Sequence, residues 1–495
     1  MARVVVVGAG MGGLAAAARL ATLGHRVTVC EQAPVVGGKV GTFSRDGFTF
    51  DTGPSLLTLP AVYRDLFIKT GRPIEESVEL VEVDPACRYR FPDGTWMDAP
   101  NASRGRMRAA FDGALGPGTG ADWERLLDRA QQVWQVTRGP FLESPLDGPR
   151  DLARLARRTR DLRTVAPWLS LRGLGGRYLR DPRQRMLLDR YATYAGSDPR
   201  RAPAALAVIP YVEQTFGAWH VRGGLRRLAT AVHERAVERG ATVRTDADVG
   251  EILVEGGRAA GVALTTGERI AADVVVANAD AAHVYRDLLG AGDGRALARR
   301  ATRRLRRATP SLSGFVLMLA LRGRTPGLAH HTVLFPRDYD AEFDAIFGRA
   351  PAPVADPTVY VCAPDDPAMR PDGHEAWFVL VNAPRHGPVD WRAPGPADGY
   401  ADRVLAVLAE RGLDVRDRLL WREVRTPADL AEATRAPGGA IYGTSSNGAT
   451  AAFLRPANRS PVPGLFLVGG SAHPGGGLPL VGLSAAIVAD LVGPA

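Results

Sequence analysis

The sequence predicts an α/β fold that begins with a parallel sheet and a glycine turn. Three observations in the first thirty-one residues predict it. Residues 3–7 form a branched apolar run, residues 8–13 are glycine-rich, and apolar residues then recur at helical spacing up to Gly24. A second apolar run, residues 27–30, ends on Glu31. Strand, glycine turn, helix, strand and acid in this order are typical of a Rossmann-like dinucleotide-binding unit.

The glycine turn predicts where the phosphates of a dinucleotide would bind. Gly8 permits the tight turn, Gly10 lets the backbone approach a pyrophosphate, and Gly13 lets the helix pack closely against the strand. Gly12 belongs to the same turn. Free N–H groups and the helix dipole at this helix N-terminus favour negative charge. Glu31, about twenty residues further on, is predicted to accept hydrogen bonds from the adenosine ribose.

The next stretch decides between NAD and FAD. A second glycine pair and a lysine follow the acid, at Gly37, Gly38 and Lys39, and residues 48–54 end in Gly53-Pro54. This pattern resembles the FAD-binding amine oxidase and carotenoid desaturase superfamily, in which it meets the flavin side of the cofactor. An ordinary glycine loop is the alternative. Lys39 argues against it, because the chain has only two lysines among its 62 basic residues.

Composition limits the remaining possibilities. The chain has 495 residues, enough for two or three domains, and its net charge of +9 comes almost wholly from arginine. Such a surface could attract anionic lipid or nucleic acid, although biased composition explains it equally, and we predict no nucleic-acid partner. Three distant cysteines without a CxxC motif predict neither a disulfide framework nor a metal site. The early first strand leaves no room for a signal peptide, so we expect a cytoplasmic protein.

The middle of the chain, residues 105–214, is predicted to be a helical insert. Residues 151–190 are dense in arginine, and Trp168, Leu169, Leu171 and Leu174 lie among the charges. One interpretation is a solvated helical surface. The other is a peripheral membrane contact within residues 150–190, with arginines on lipid phosphates and the apolar side chains in the acyl boundary, at the inner face of the cell membrane. The basic stretch at residues 299–307 does not separate the two interpretations.

The predicted layout has a discontinuous FAD-binding domain, a mixed-sheet substrate domain and the helical insert. The FAD-binding domain comprises residues 1–75, 215–300 and 437–495, and the substrate domain comprises residues 76–104 and 308–436. Similarity to the superfamily implies that the backbone at Val249 meets the adenine.

The C-terminus carries a second glycine-rich signal. Residues 465–468 form a predicted buried strand, residues 469–483 a loop rich in glycine, and residues 484–491 a closing helix. The stretch resembles the C-terminal signature of bacterial-type carotenoid desaturases, of the phytoene desaturase family. That resemblance implies that Gly469, Gly470, Gly482 and Leu483 contact the flavin. Gly470 stands where many flavoproteins carry an acid.

The resemblance implies desaturation of a polyene, a reaction that removes a hydride from one carbon and a proton from its neighbour. Such a reaction needs positioning and an apolar channel more than a strong base. His473, in the C-terminal loop, is the best titratable candidate. A hydrogen-bonding role for it is favoured over that of a proton acceptor. Tyr191 and Tyr194 are weaker candidates, and either could simply be a core residue.

Within that family, residues 469–480 look more like enzymes that act late in the carotenoid pathway. Those enzymes desaturate hydroxylated or monocyclic carotenoids, or oxidise terminal methyl groups. A phytoene desaturase remains an alternative. Outside the family, a flavin amine or porphyrinogen oxidase and a non-enzymatic prenyl-lipid escort protein also remain open. The sequence does not indicate the oligomeric state.

Overall fold

Strands and helices alternate at the start of the chain and again near its end. The computed structural model describes residues 1–146, 158–290, 292–448, 451 and 455–495. The strands are β1 (Arg3–Val7), β2 (Arg26–Cys30), β3 (Thr42–Arg45), β4 (Phe48–Asp51), β5 (Leu57–Thr58), β6 (Leu80–Glu82), β7 (Cys87–Arg90), β8 (Trp96–Ala99), β9 (Ala218–Val221), β10 (Thr242–Arg244), β11 (Val249–Glu255), β12 (Arg258–Leu264), β13 (Arg269–Ala271), β14 (Val274–Ala277), β15 (Ser313–Arg322), β16 (His331–Leu334), β17 (Val359–Cys362), β18 (His374–Ala383), β19 (Leu419–Arg425) and β20 (Leu465–Leu467). The helices are α1 (Met11–Thr22), α2 (Ala61–Thr70), α3 (Arg104–Leu115), α4 (Thr119–Thr137), α5 (Thr159–Val165), α6 (Leu171–Tyr178), α7 (Pro182–Arg190), α8 (Val208–Phe216), α9 (Arg226–Glu238), α10 (Ala281–His283), α11 (Asp293–Arg307), α12 (Tyr339–Phe347), α13 (Pro396–Glu410), α14 (Pro427–Thr434) and α15 (Leu478–Val492).

A five-stranded parallel sheet carries the two glycine-rich loops. Its strand order is β10–β2–β1–β14–β20. β1 pairs with β2 on one side and with β14 on the other, so that Val4 lies opposite both Val27 and Val274. Branched apolar residues predominate in β1 and β14 because both faces of the sheet are covered, one by α1, α9 and α15 and the other by the small antiparallel sheet β11–β12–β13. Helix α1 packs against α9 and α15. The predicted α/β class and Rossmann-like unit are confirmed.

A second, mixed sheet of seven strands has the order β19–β15–β18–β17–β16–β7–β8. Its neighbouring strands are antiparallel except for β7 and β16, which run parallel. β15 is buried along its whole length except for Arg322. Helix α13 covers one face through Tyr400 and Val404, and Phe48 and Phe50 pack on the other face.

The two large sheets draw on different segments of the chain. All five strands of the parallel sheet lie within residues 1–75, 215–300 and 437–495, and all seven strands of the mixed sheet lie within residues 76–104 and 308–436. A small sheet, β5–β9–β6, joins strands from both sets. The domain boundaries themselves stay a prediction.

Helices α3, α4 and α6 to α8 form a separate apolar cluster against β7 and β16. Leu171 and Leu174 are buried within it. The expectation that these two leucines enter a lipid boundary is therefore wrong, because the protein's own core already covers them. Trp168 is 62% exposed and remains available. The part of the predicted arginine-rich helical stretch at residues 151–157 lies outside the described residues.

Helix α15 begins at Leu478, six residues before the predicted start at residue 484. Pro479 occupies its first turn, where a missing N–H costs nothing, and the backbone of Gly477 precedes it. The sequence reasoning also missed the edge strand β19, whose polar residues hide its alternation. Among the described residues, no helix is both long enough and apolar enough to span a bilayer.

Candidate cofactor and active site

The first glycine loop lies between the carboxyl end of β1 and the N-terminus of α1. Gly8 has φ of +93°, a conformation that glycine adopts without strain. A Cβ at Gly13 would overlap the carbonyl oxygen of Gly8, so only glycine lets α1 start this close to the strand. The backbone N–H groups of the first turn of α1 lack intrahelical partners and can meet an anion. The loop therefore has the shape and polarity of a pyrophosphate site.

Asn278, which the sequence analysis missed, fills the centre of this loop. It follows β14, and its Nδ2 donates to the Gly8 carbonyl oxygen at 3.3 Å. A Cβ at Gly10 or Gly12 would come within 2.7 Å of its side chain. A polar residue directly after a buried parallel strand was the signal that could have identified it, because carboxyl ends of parallel strands meet at one edge.

Glu31 lies at the carboxyl end of β2, beside the same loop. Its Oε2 accepts from the Ala9 N–H at 2.6 Å, and its Oε1 accepts from the Ala33 N–H at 3.0 Å. An ionised carboxylate has about four acceptor positions, so about two remain for ribose hydroxyls. Ala247 donates its N–H to the Glu31 carbonyl oxygen at 2.8 Å. This contact brings the strand that begins with Val249 close to Glu31, the predicted ribose-binding residue.

The second glycine pair packs directly on the first loop. Gly37 donates its N–H to the Ala9 carbonyl oxygen at 2.8 Å, and a Cβ at Gly38 would lie 3.1 Å from the Cα of Gly10. A Cβ at Gly53, just before Pro54, would overlap the carbonyl oxygen of Lys39. These three glycines therefore allow three backbone segments to meet at van der Waals distance.

Lys39 reaches across to the C-terminal part of the site. Its Nζ donates to the Ile441 carbonyl oxygen at 2.6 Å. Burial lowers the pKa of Lys39, and the nearby carboxylate of Asp280 opposes that shift. Burial likewise raises the pKa of Asp280, against the effect of the Ala282 N–H and of Lys39. Lys39 and Asp280 thus stabilise each other's charge in a poorly solvated space between the loops.

Arg455 holds the second glycine loop, and sequence reasoning missed it in the arginine-rich background. Its Nη1 donates to the carbonyl oxygens of Tyr442 and Gly470 at 2.7 and 3.0 Å, and its Nη2 donates to that of Thr444 at 2.9 Å. Burial lowers its pKa to about 10, so the guanidinium is charged at neutral pH. Gly469 has φ of +106° and packs on the side chain of Asn278. The two glycine loops therefore meet at one asparagine.

Two predicted flavin contacts, Gly482 and Leu483, lie inside α15 rather than in a loop. A Cβ at Gly482 would lie 2.6 Å from Val62, so this glycine lets α15 pack on α2. Val481 makes the first intrahelical bond, to Gly477. The first-turn N–H groups that can meet an anion therefore belong to Leu478 and Leu480, because Pro479 has none. The predicted loop boundary is corrected accordingly.

His473 is buried, and it bonds to the helical insert. Its Nε2 donates to the Ser144 carbonyl oxygen at 3.0 Å, and its ring meets that of Phe141 edge-on at 5.3 Å. Burial lowers its pKa to about 4 even though the backbone carbonyls of Ser144 and Phe141 raise it. Its own carbonyl oxygen accepts from Asn458 at 2.9 Å. These contacts agree with the favoured hydrogen-bonding role, and the catalytic assignment stays a prediction.

Tyr191 and Tyr194 belong to a buried polar network between the insert and the mixed sheet. Tyr191 donates to Glu213 at 2.6 Å, and the hydroxyl of Tyr194 accepts from Arg190 at 2.9 Å. Arg190 also lies over the ring of Tyr360. Burial raises the pKa of Glu213, which its bond from Tyr191 opposes. Helical spacing in the sequence did not predict this network, because its partners come from three separate elements.

Comparison with known proteins agrees with this geometry. Residues 11–492 match the family described as flavin containing amine oxidoreductase. The chain is 35% identical over 494 residues to a 4,4'-diapolycopene oxygenase of a Methylomonas species, covering 99% of this chain and 98% of that protein. It is 34% identical to the hydroxyneurosporene desaturase of Rubrivivax gelatinosus, covering 99% and 92%. It is also 34% identical to the zeta-carotene-forming phytoene desaturase of Myxococcus xanthus, covering 99% and 93%.

Solved structures share the fold at lower identity. A putrescine oxidase bound to putrescine superposes with a TM-score of 0.65 at 17% identity, covering 99% of both chains. An oxidoreductase from Methanosarcina mazei gives a TM-score of 0.62 at 19% identity, covering 99% of this chain and all of that one. The resemblance drawn from the two terminal motifs is confirmed. The chain is an oxidoreductase that belongs to the flavin containing amine oxidoreductase family.

Proposed function

We propose that the protein is an FAD-dependent carotenoid desaturase that acts late in the pathway on a hydroxylated or monocyclic polyene. The observation that carries the proposal is similarity over the whole chain, at 34–35% identity, to three proteins named for their action on carotenoids. A local match would support only the cofactor domain. Here the mixed sheet and the helical insert match as well, and these are the parts we expect to hold a substrate.

We infer that FAD is the cofactor. The residues fit it, because a side chain at Gly8, Gly10, Gly12, Gly13 or Gly38 would come within 3.1 Å of a neighbouring atom, so these glycines keep the backbone open to a ligand beside the Glu31 carboxylate. Gly8 to Gly13 would hold the pyrophosphate, Glu31 the ribose, and Val249 the adenine. Segments 37–39, 53–54 and 469–480 would surround the flavin, which supplies the hydride acceptor when bound.

We expect no single side chain to be essential for the proton loss that accompanies hydride transfer. A proton leaves the carbon next to the one that loses the hydride, and the polyene delocalises the developing positive charge. His473 is neutral at neutral pH because burial lowers its pKa to about 4. Its Nε2 hydrogen is already donated to Ser144. We therefore propose that His473 positions the second glycine loop and that it is not an essential base.

Product analysis after co-expression tests the proposal and separates the candidates. Cells that make phytoene, lycopene or hydroxylated carotenoids should each receive the gene, and the carotenoids should be separated by chromatography. A late desaturase should convert the hydroxylated substrate best. Preference for phytoene would assign a phytoene desaturase, and aldehyde or acid products would assign a terminal methyl oxidase. The Methylomonas relative is named as an oxygenase. A flavin spectrum with no change in any carotenoid would favour an amine or porphyrinogen oxidase.

We also propose that the protein attaches peripherally to a membrane, because its substrate dissolves in bilayers. Two arginine-rich surfaces compete for this role. In the insert, Arg172, Arg180 and Arg183 form ion pairs with carboxylates at 2.7–2.8 Å. Five other exposed arginines of the described insert, Arg160, Arg163, Arg177, Arg185 and Arg201, form no ion pair with a described residue. In α11, all seven arginines are exposed, and the six other than Arg304 form no ion pair with a described residue, so this one helix concentrates more unpaired charge than the insert does. Helix α11 is therefore the favoured lipid contact, with Trp168 as a second one.

Liposome flotation with charge-matched variants tests this contact. The triple variant Arg299→Gln, Arg300→Gln, Arg303→Gln should bind anionic liposomes about 100-fold more weakly, at about 1 kcal/mol per arginine. The control changes Arg392, Arg403 and Arg416 to Gln. These three arginines are exposed and already paired, so this variant should bind like the wild type. An equal loss of liposome binding in both triple variants would reject α11 as the contact. If the wild type stays in the bottom fraction and does not float with anionic liposomes, membrane attachment is rejected.

A further inference from the structure

A second cluster of reactive side chains lies in the mixed sheet, away from the glycine loops. His331 begins β16, Cys362 ends β17, and the two residues stand directly opposite each other in the antiparallel pair. Side chains of such pairs share one face of the sheet. His330 precedes the strand, and its carbonyl oxygen accepts from the Ala363 N–H at 2.8 Å. One ligand atom from each of His330, His331 and Cys362 lies within 4.8 Å of the other two.

Both imidazoles carry a nitrogen without a partner. The Nε2 atoms of His330 and His331 are buried and form no hydrogen bond with any described residue. His331 is only 2% exposed, and Cys362 is equally buried. An unpaired polar atom in such a place lowers the stability of the folded protein. Two of them side by side indicate that another group satisfies them.

The surrounding groups orient these rings as they would orient metal ligands. The second nitrogen of His331, Nδ1, lies 2.8 Å from the hydroxyl of Tyr360, which in turn lies 2.7 Å from that of Ser55. The ring of His220 packs on His330 at 4.9 Å, and its Nε2 bonds to Asp366 at 2.9 Å. Hydrogen bonds of this kind fix the ring orientation and leave the other nitrogen free to coordinate.

Metal binding needs a lone pair on each imidazole and a deprotonated thiol, so a bound cation would displace the proton of Cys362.

We propose that His330, His331 and Cys362 form a binding site for a thiophilic d10 cation, for which Zn²⁺ is the probe. Two nitrogens and one sulfur are donors that zinc accepts and that Mg²⁺ and Ca²⁺ avoid. A tetrahedral zinc site places its ligand atoms roughly 3.3–3.6 Å apart, so the three side chains close by about 1 Å on binding. The three side chains would supply three of the four ligands of such a site. Sequence spacing did not predict this site, because its ligands come from two strands some thirty residues apart.

Metal analysis of the purified protein tests the site independently of any activity. Protein from zinc-supplemented cultures should be desalted and measured by mass spectrometry of the metal. The wild type should retain close to one zinc ion per chain. Cys362→Ala and His331→Gln should each lose most of it. Cys87→Ala is the matched control, because Cys87 is a buried cysteine of the same sheet outside the cluster, and this variant should retain the metal.

Cobalt substitution separates loss of the site from loss of the fold. Added Co²⁺ should give a thiolate charge-transfer band in flavin-free wild type and in Cys87→Ala, and no such band in Cys362→Ser, which keeps the size of the side chain. Chelation should lower the Tm of the wild type and leave that of Cys362→Ser unchanged. Wild type that retains no zinc and shows no cobalt band, or Cys362→Ser that binds like the wild type, would overturn the proposal.

Discussion

The two glycine loops end strands of the same sheet, yet different kinds of contact hold them. The first loop, residues 8–13, is closed largely by residues within about twenty positions, with Gly13 against Gly8 and Glu31 bonded to Ala9, and Asn278 is its distant contact. The second, residues 469–477, is held by Arg455 and, through His473, by the distant insert.

This comparison shows which part of a cofactor site depends on residues close together in the sequence and which part depends on contacts between distant segments. Strand, turn and helix around the first loop follow one another within about thirty residues, so backbone geometry and hydrophobic pattern determine its shape. The second loop is held by side chains that flank it in sequence, Arg455, Asn458 and Ser484, and also by one distant contact, between His473 and Ser144, which spans 329 residues. Asn278 touches both loops and makes them one site. Substitutions should therefore affect the first loop through folding and the second through positioning.

Replacing Gly13 by Ala should have the largest effect. The new Cβ would overlap the Gly8 carbonyl oxygen, and neither backbone can yield, so we expect the free energy of unfolding to fall by at least about 3 kcal/mol and FAD to be lost. Gly470→Ala is the matched change in the second loop, where the nearest atom lies at an ordinary 3.5 Å. It should fold like the wild type. Denaturant unfolding measures the free energy of unfolding of both variants. Equal values for the two would contradict the claim that only the first loop depends on close backbone packing.

Replacing Glu31 by Ala should weaken FAD binding without displacing the loop from its sheet. The ribose would lose a pair of charge-assisted hydrogen bonds, worth on the order of 1.5–3 kcal/mol each, so the Kd should rise by about 150-fold or more. Fluorescence titration of the apoprotein with FAD measures this. Glu268→Ala, which removes an exposed carboxylate paired with Arg244, should leave the Kd unchanged. Tight NAD binding in a protein that fails to take up FAD would refute the cofactor assignment.

The second loop should make stability depend on pH through His473. Its pKa is about 4 in the folded protein and 6.5 when exposed, so between these values the unfolded chain binds the extra proton. The stabilisation is therefore complete above pH 6.5 and is lost as the pH falls towards 4, by up to about 3 kcal/mol. His473→Gln should flatten this part of the profile. Unfolding curves for both proteins from pH 7 to 4 test it, and parallel profiles would contradict it.

The smallest effect should be on turnover. His473→Gln, loaded fully with FAD, should retain turnover within about tenfold of the wild type, because the side chain positions the loop and takes no proton from the substrate. Removing a general base typically costs about 100- to 10,000-fold. Single-turnover reduction of the bound flavin by substrate separates chemistry from cofactor loss. A decrease in that larger range at full FAD occupancy would make His473 the base and reverse the assignment.

The amino-acid sequence alone was enough to predict the parallel sheet, the first loop, the acid at the end of β2 and the family. Each of these is written in neighbouring residues, because strand and helix formation depend on hydrogen bonds and side-chain periodicity of short range. It also predicted the helical insert, although not which of its residues are covered. Leu171 and Leu174 read like a surface pair and lie in the core, because burial depends on what the rest of the fold brings against a helix.

The contacts between separate segments of the chain could be identified only from the tertiary structure. It placed Asn278 between the two loops, Arg455 under the second loop, and His473 against the insert. It also joined His330 and His331 to Cys362 across two strands. None of these contacts has a signature in local spacing, since long-range neighbours are selected by the packing of whole sheets and helices. The packing of sheets and helices therefore determines which buried polar groups become neighbours, and these neighbours form the candidate sites of this protein.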